Sequence, residues 1–240
     1  MFNYLDRIIV RYDLASPFLD VGCGIGDLSV FLAAKGWKGK AIDSSDIAIE
    51  RAEDNLRPFP EVAVKKESLY DENNNFKTIF LWDVIEHIKD DEAALKKIAS
   101  LLSPGGHLLM SVPSNRKEWR WDDDFYGHYR RYSAEEISGK LVEAGLTPII
   151  LYDITYPFFW VMRRLYTRFK SSPKARASVM DMEAKTSISS TVNAWDLPFI
   201  SALLNSDNFF WRLLSRFQFL FFKNKLRKGH EMLVLAQKRV

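Results

Sequence analysis

The sequence predicts an α/β fold, with a parallel sheet wound by helices on both faces. Three observations carry that expectation. Short apolar runs alternate with stretches of helical periodicity through residues 1–150, and a glycine-rich turn joins the first run to the helix after it. In addition, 47% of the 240 residues are hydrophobic, enough for an extensive core. The lone cysteine, Cys23, excludes an internal disulfide. The N-terminal segment scatters charges rather than collecting an apolar stretch, and no run approaches the roughly 18 apolar residues of a spanning helix. A reducing, cytoplasmic compartment is therefore expected.

PFLDVGC (17–23) reads as a buried strand, and DLSVFLAAKG (27–36) as a helix stopped by Gly36. GKAIDSS (39–45) is a second strand, DIAIERAEDNL (46–56) a helix and VAVKKES (62–68) a weaker third strand. FKTIFLWD (76–83) is a fourth strand and EAALKKIASLL (92–102) a helix, after which SPGG (103–106) makes a tight entry into the strand GGHLLMSVPS (105–114). Ser133 and Glu136 form a capping box for the helix at 134–145. TPIILYDIT (147–155) and EMLVLAQKR (231–239) are the last strands, separated by a long segment that exceeds an ordinary loop and implies folded structure. The domain expectation follows: a core of residues 1–156 plus 230–240, and an aromatic, basic helical insertion at 157–229.

The strongest local signal is LDVGCGIGD (19–27), where a strand ends in Asp20 and Gly22, Gly24 and Gly26 follow before a helix. Glycines there let the backbone turn tightly and approach a ligand. The G-x-G-x-G spacing, with Asp27 three residues after Gly24, suits a nucleoside better than the pyrophosphate of a dinucleotide. Asp43 ends the second strand, where a carboxylate can accept hydrogen bonds from both ribose hydroxyls. Asp43 and its neighbour Ser44 also stand just before a helix, so capping is the competing role.

These pieces, LDVGCGIG, AIDSS, LWDVIEHIKDDEAALKKIASLLSPGGHLLMSVPS and DFYGHYRRYSAEEI, resemble the class I S-adenosylmethionine-dependent methyltransferase superfamily, in the branch with an E-H-I motif after the fourth strand. The resemblance implies a seven-stranded, mostly parallel, Rossmann-like sheet whose last strand is antiparallel, with S-adenosylmethionine across the carboxyl ends of its first four strands. It implies that Asp20 and the Gly22–Gly26 turn cradle the methionine part, that Asp43 holds the ribose with Ser44 beside it among the cofactor-binding residues, and that Glu67 and Ser68 border the adenine. By the same resemblance Asp83 and Ile85 approach the cofactor and His87 faces the acceptor. No metal is expected, since Glu86 and His87 match only partly the Glu-His pair that binds a divalent ion in quinone-related relatives.

Methyl transfer to a hydroxyl needs in-line alignment and removal of a proton, for which an imidazole is a suitable base. His87 and His128 are the catalytic candidates, against the alternative that either is held structurally by backbone. Tyr126, Tyr129, Arg130 and Arg131 are the acceptor-binding candidates; the arginines either contact an acidic or sugar-like acceptor or brace the loop by pairing with Asp122–Asp124. His107 and His230 begin strands and read as structural.

Net charge is +3, but residues 157–229 hold 13 Lys+Arg against 4 Asp+Glu, leaving 21 against 27 elsewhere. In the insertion Phe210, Leu213, Leu214, Phe217, Leu220 and Phe221 fall on one helical stripe, with Arg212, Arg216, Lys223 and Arg227 largely off it. Either this stripe packs on the sheet and roofs the site, or it meets a lipid-linked acceptor or membrane surface, or it dimerises. SSPKARAS (171–178) is the candidate mobile loop. Nucleic acid is disfavoured by the modest charge. The expected function is transfer of methyl from S-adenosylmethionine to a small-molecule or lipid-linked acceptor, at oxygen. The rivals are a membrane-associated or partner-binding module without turnover and a nicotinamide-dependent oxidoreductase.

Overall fold

The computed structural model describes residues 2–170 and 209–239. Seven strands form one sheet in the order β3-β2-β1-β4-β5-β7-β6. They are β1 (Phe18–Val21), β2 (Gly39–Asp43), β3 (Val62–Lys66), β4 (Phe76–Trp82), β5 (Leu102–Pro113), β6 (Leu146–Asp153) and β7 (Glu231–Lys238). The first five run parallel, and β7 is antiparallel to both β5 and β6. The helices are α1 (Phe2–Arg11), α2 (Asp27–Ala33), α3 (Asp46–Leu56), α4 (Asp91–Leu101), α5 (Trp121–Tyr126), α6 (Ala134–Glu143), α7 (Phe158–Phe169) and, next among the described elements, α8 (Phe209–Phe222).

Neighbouring residues of a strand face opposite sides of a sheet. Ile79 and Leu81 of β4, with Leu108 and Met110 of β5, accordingly pack against Leu95 and Ile98 of α4 and Ile137 and Leu141 of α6. Phe80 and Leu109 point the other way, onto Leu5 and Ile8 of α1 and Leu28 and Leu32 of α2. Burial on both faces is why these strands read as continuous apolar runs rather than alternating ones.

The structure adds one element to the sequence-based reading and departs from it in two places. Residues 2–11 form a helix, because Tyr4, Leu5 and Ile8 share one buried face while Arg7 and Arg11 face water. Asp122 and Asp123 sit in a short helix rather than a loop. The segment SPGG lies within β5: its pairing with β4 steps from Phe76↔Leu102 to Thr78↔His107, so 103–106 bulge out of register. The proposed mobile loop at 171–178 lies outside the described residues.

After β3 the chain returns to the far side of β1, so the strand order reverses between β1 and β4. Above that reversal the loops diverge and leave a crevice, the usual ligand position in open α/β sheets.

Candidate active site

A cavity of about 710 Å³ opens at the carboxyl ends of β1, β2 and β4, a size suited to a nucleoside-bearing cofactor with its acceptor. One end is made by Asp20, Gly22, Gly24, Asp43, Ser44 and Ser68. Asp43 is buried and fixed at two points. Its Oδ2 accepts from the Gly24 amide at 3.0 Å and its Oδ1 from the Ser45 amide at 2.9 Å. Two carboxylate oxygens offer about four acceptor sites, so capacity remains for a ribose diol. Capping of α3 falls instead to Ser45, whose side chain accepts from Ala48.

Gly22 has φ +67, and a Cβ there would lie 2.6 Å from Val84, so turn and β4 exit can meet only without a side chain. Gly26 is off the cavity wall. It starts α2 in a left-handed conformation against Ala52 and Leu56 of α3, each 3.3 Å from a Cβ built there, so its role is helix packing. Asp20 is fully buried and accepts a hydrogen bond from Ser29 at 2.7 Å. Burial, with the nearby Asp43 charge, pushes its carboxyl up to about 7.

Glu67 reaches the wall but is paired to Lys40 at 2.6 Å, and Ser68 Oγ accepts from the Tyr70 amide. Asp83 faces the cavity with φ 53, held by exchange of hydrogen bonds with Ser111. Ile85 does not reach the cavity. It turns into the core within the 3₁₀ turn Ile85–His87, which sends the residues after it, Glu86 and His87, to the wall instead.

The other end collects Glu86, His87, Tyr126, His128, Arg131 and, from α7, Arg163. His128 Nδ1 lies 2.9 Å from Asp123 Oδ1. A carboxylate there accepts Nδ1–H and leaves the Nε2 lone pair directed away from it, toward Glu86 Oε1 at 4.0 Å. Asp123 is itself gripped by Arg131 Nε at 2.8 Å and Arg163 Nη2 at 2.9 Å, and these cations together with His128 hold its carboxyl well below the usual range. The ring of His87 stands edge-on to His128, centroids 4.8 Å apart. Burial, with the neighbouring His128, lowers His87 to about 4, and its buried Nδ1 has no hydrogen-bond partner among the described residues. Among the described residues both oxygens of buried Glu86 likewise lack partners, and burial, with the nearby Asp83 charge, raises its carboxyl well above the ordinary value. Glu86, His87 and His128 each offer a ligand atom within 4.8 Å of the others, a donor set that would accept a divalent cation.

Two acceptor-side candidates lie elsewhere. Arg130 pairs with Asp91 of α4 at 2.8 Å, not with the acids at 122–124. Tyr129 is 40% exposed, and its amide donates to the Glu86 carbonyl at 2.9 Å. Arg131 has the bracing partner Asp123 and also binds the Ser114 and His230 carbonyls. His107 pairs with Gln237 within β5 rather than starting the strand. His230, buried just before β7, reaches the wall with an Nδ1 that finds no partner among the described residues; its isolation in sequence left no signal of this. Arg163 and Tyr166 were equally hidden, since their elements lie far from the glycine turn in sequence.

A family model described as a methyltransferase domain matches residues 1–150. The chain belongs to this methyltransferase family. The ubiquinone biosynthesis O-methyltransferase of Xanthomonas oryzae pv. oryzae (strain PXO99A) is 34% identical over 114 residues, 45% of this chain and 48% of that protein. The chain thus matches about half the length of such relatives. Among solved structures, phosphoethanolamine N-methyltransferase 2 of Haemonchus contortus, in complex with S-adenosyl-L-methionine, superposes with TM-score 0.61 at 18% identity, covering 100% of this chain and 53% of that one. The cyclase SpnF superposes with TM-score 0.61 at 17% identity, covering 99% and 81%, so this fold also carries other chemistry. S-adenosylmethionine, the methyl donor of this methyltransferase family, fits the cavity by the room above the glycine turn and the spare acceptor capacity of Asp43.

Proposed function

We propose that this methyltransferase transfers methyl from S-adenosylmethionine to a hydroxyl oxygen of a small-molecule or lipid-linked acceptor. When bound, the cofactor supplies an electrophilic methyl on a sulfonium. Asp43 and the glycine turn bind its nucleoside and methionine ends. His128 takes the acceptor proton at Nε2, and Asp123 holds the imidazole in the required tautomer and stabilises it once charged. His87, neutral and a weak base, positions the acceptor together with Glu86. The Asp123–His128 pair at the cavity carries this reading, since a hydroxyl acceptor must lose its proton as the new C–O bond forms and His128 stands where it can take it. The O-methyltransferase name of the Xanthomonas relatives points the same way.

The test is turnover on a panel of phenols and catechols, with and without long apolar tails, beside matched amines, followed by mass of the product. Methyl ethers are expected; methylation confined to the amines would sink the oxygen assignment. A second reading rests on the oxygens of Glu86, which find no partner among the described residues. There Glu86, His87 and His128 would hold a divalent cation, which would supply positive charge beside the acceptor oxygen. Activity abolished by a chelator and restored by Mg²⁺ or Zn²⁺ would favour it over the base; indifference to chelation would remove it.

A further inference from the structure

Helices α7 and α8 are built inside out. The buried positions of α7 are Arg163, Tyr166 and Thr167, whereas Val161, Leu165 and Phe169 face solvent, Phe169 at 78% exposure. In α8 Ser215, Gln218 and Phe219 are buried while Leu213, Phe217, Leu220 and Phe221 are exposed. These seven make half of the 14 exposed large hydrophobics found among the described residues, so they are concentrated rather than scattered. The two helices meet where Phe158 lies near Phe217, ring centroids 6.5 Å apart. A helix facing water ordinarily shows the reverse pattern. The charge is also one-sided: 158–170 and 209–229 contain no Asp or Glu, while Arg168, Arg216, Lys225 and Lys228 are exposed.

We propose that this face docks on an anionic lipid bilayer, its apolar side chains at the acyl boundary and its basic ones among the headgroups. A second copy is the weaker occupant, because self-pairing would set like charges together. None of the described helices is long and apolar enough to cross a membrane, so the contact is peripheral. The opposite side of α7 places Arg163 and Tyr166 on the cavity wall, so docking brings that wall within a helix diameter, about 10 Å, of the lipid. The proposal does not depend on which atom is methylated.

The test is co-sedimentation of the full chain with vesicles of phosphatidylcholine, and of phosphatidylcholine mixed with phosphatidylglycerol. Binding is expected only to the anionic vesicles, weakening with salt. Arg216→Ala should lower partitioning about fivefold, and Leu220→Asp or Phe221→Asp about tenfold or more. Calorimetric affinity for S-adenosylmethionine, unchanged in all three, reports that they are folded and that the cofactor site stands apart. Wild-type protein left in the supernatant with anionic vesicles, or variants that bind as well as wild type, would overturn the proposal. So would a wild-type dimer that ignores vesicles and becomes monomeric on Phe221→Asp, since the face would then be covered by a second copy.

Discussion

Each side chain at the site has a charge state set by what surrounds it. Asp20 is the clearest case. Its carboxyl ionises only near pH 7, so a ligand bearing positive charge must expel its proton at lower pH. Affinity for S-adenosylmethionine should therefore rise as pH increases through 7, with proton release seen as buffer-dependent heat in calorimetry. A flat affinity between pH 6 and 8, with no proton release, would show that Asp20 does not sense the cofactor. Asp43→Ala should weaken the cofactor by about 1 kcal/mol or more, through lost charge-assisted bonds and a loosened Gly24 amide; unchanged affinity would remove it from the ribose site. At the acceptor end, His128→Ala should lower kcat about 100-fold or more with cofactor affinity preserved. Asp123→Asn should reproduce part of that loss. If His87→Ala costs more turnover than His128→Ala, the base has been assigned to the wrong ring.

Elements bring these residues together, and α7 does so from farthest away in sequence. Arg163 is buried, with both Nη2 and Nε on Asp122, Nη2 also on Asp123, and Nη1 on the Glu118 carbonyl. It ties α7 to α5 and fixes the carboxylate that orients His128. Arg163→Met leaves Asp122 and part of Asp123 uncompensated and should cost about 3 kcal/mol in denaturant unfolding. A loss below about 1 kcal/mol would mean that Arg131 alone sustains the cluster. Gln218 performs the matching service for α8, donating to the Ile154 carbonyl at 2.7 Å and accepting from the Phe158 amide at 3.0 Å. Polar side chains, beside Tyr166 and Phe219, thus seat both helices, which leaves Val161, Leu165, Phe169, Leu213, Phe217, Leu220 and Phe221 facing outward.

Across the whole molecule, two buried groups set opposed pH slopes of stability. Asp20 keeps its proton between its ordinary 3.8 and about 7, where the unfolded chain has lost it, so its contribution declines as pH rises. His87 stays neutral between about 4 and its ordinary 6.5, where the unfolded chain is protonated, so its contribution rises with pH. Asp20→Asn should expose the histidine slope, with Tm climbing more steeply from pH 4 to 6.5 than in the wild type. Superposable profiles would contradict the assignment.

The strand-helix alternation, the glycine turn and Asp43 were legible in the sequence because each is local: period, backbone freedom and a carboxylate at a strand end need no distant partner. Seven strands and the antiparallel last pair followed from the family resemblance. Tertiary structure alone decided what depends on long-range pairing. It turned Ile85 inward and Arg130 toward Asp91, and it aimed His128 through Asp123 by way of an arginine on α7. It also decided which side of α7 and α8 faces out. Helical spacing groups residues on a stripe, but only the packing of the other face shows whether that stripe is core or surface.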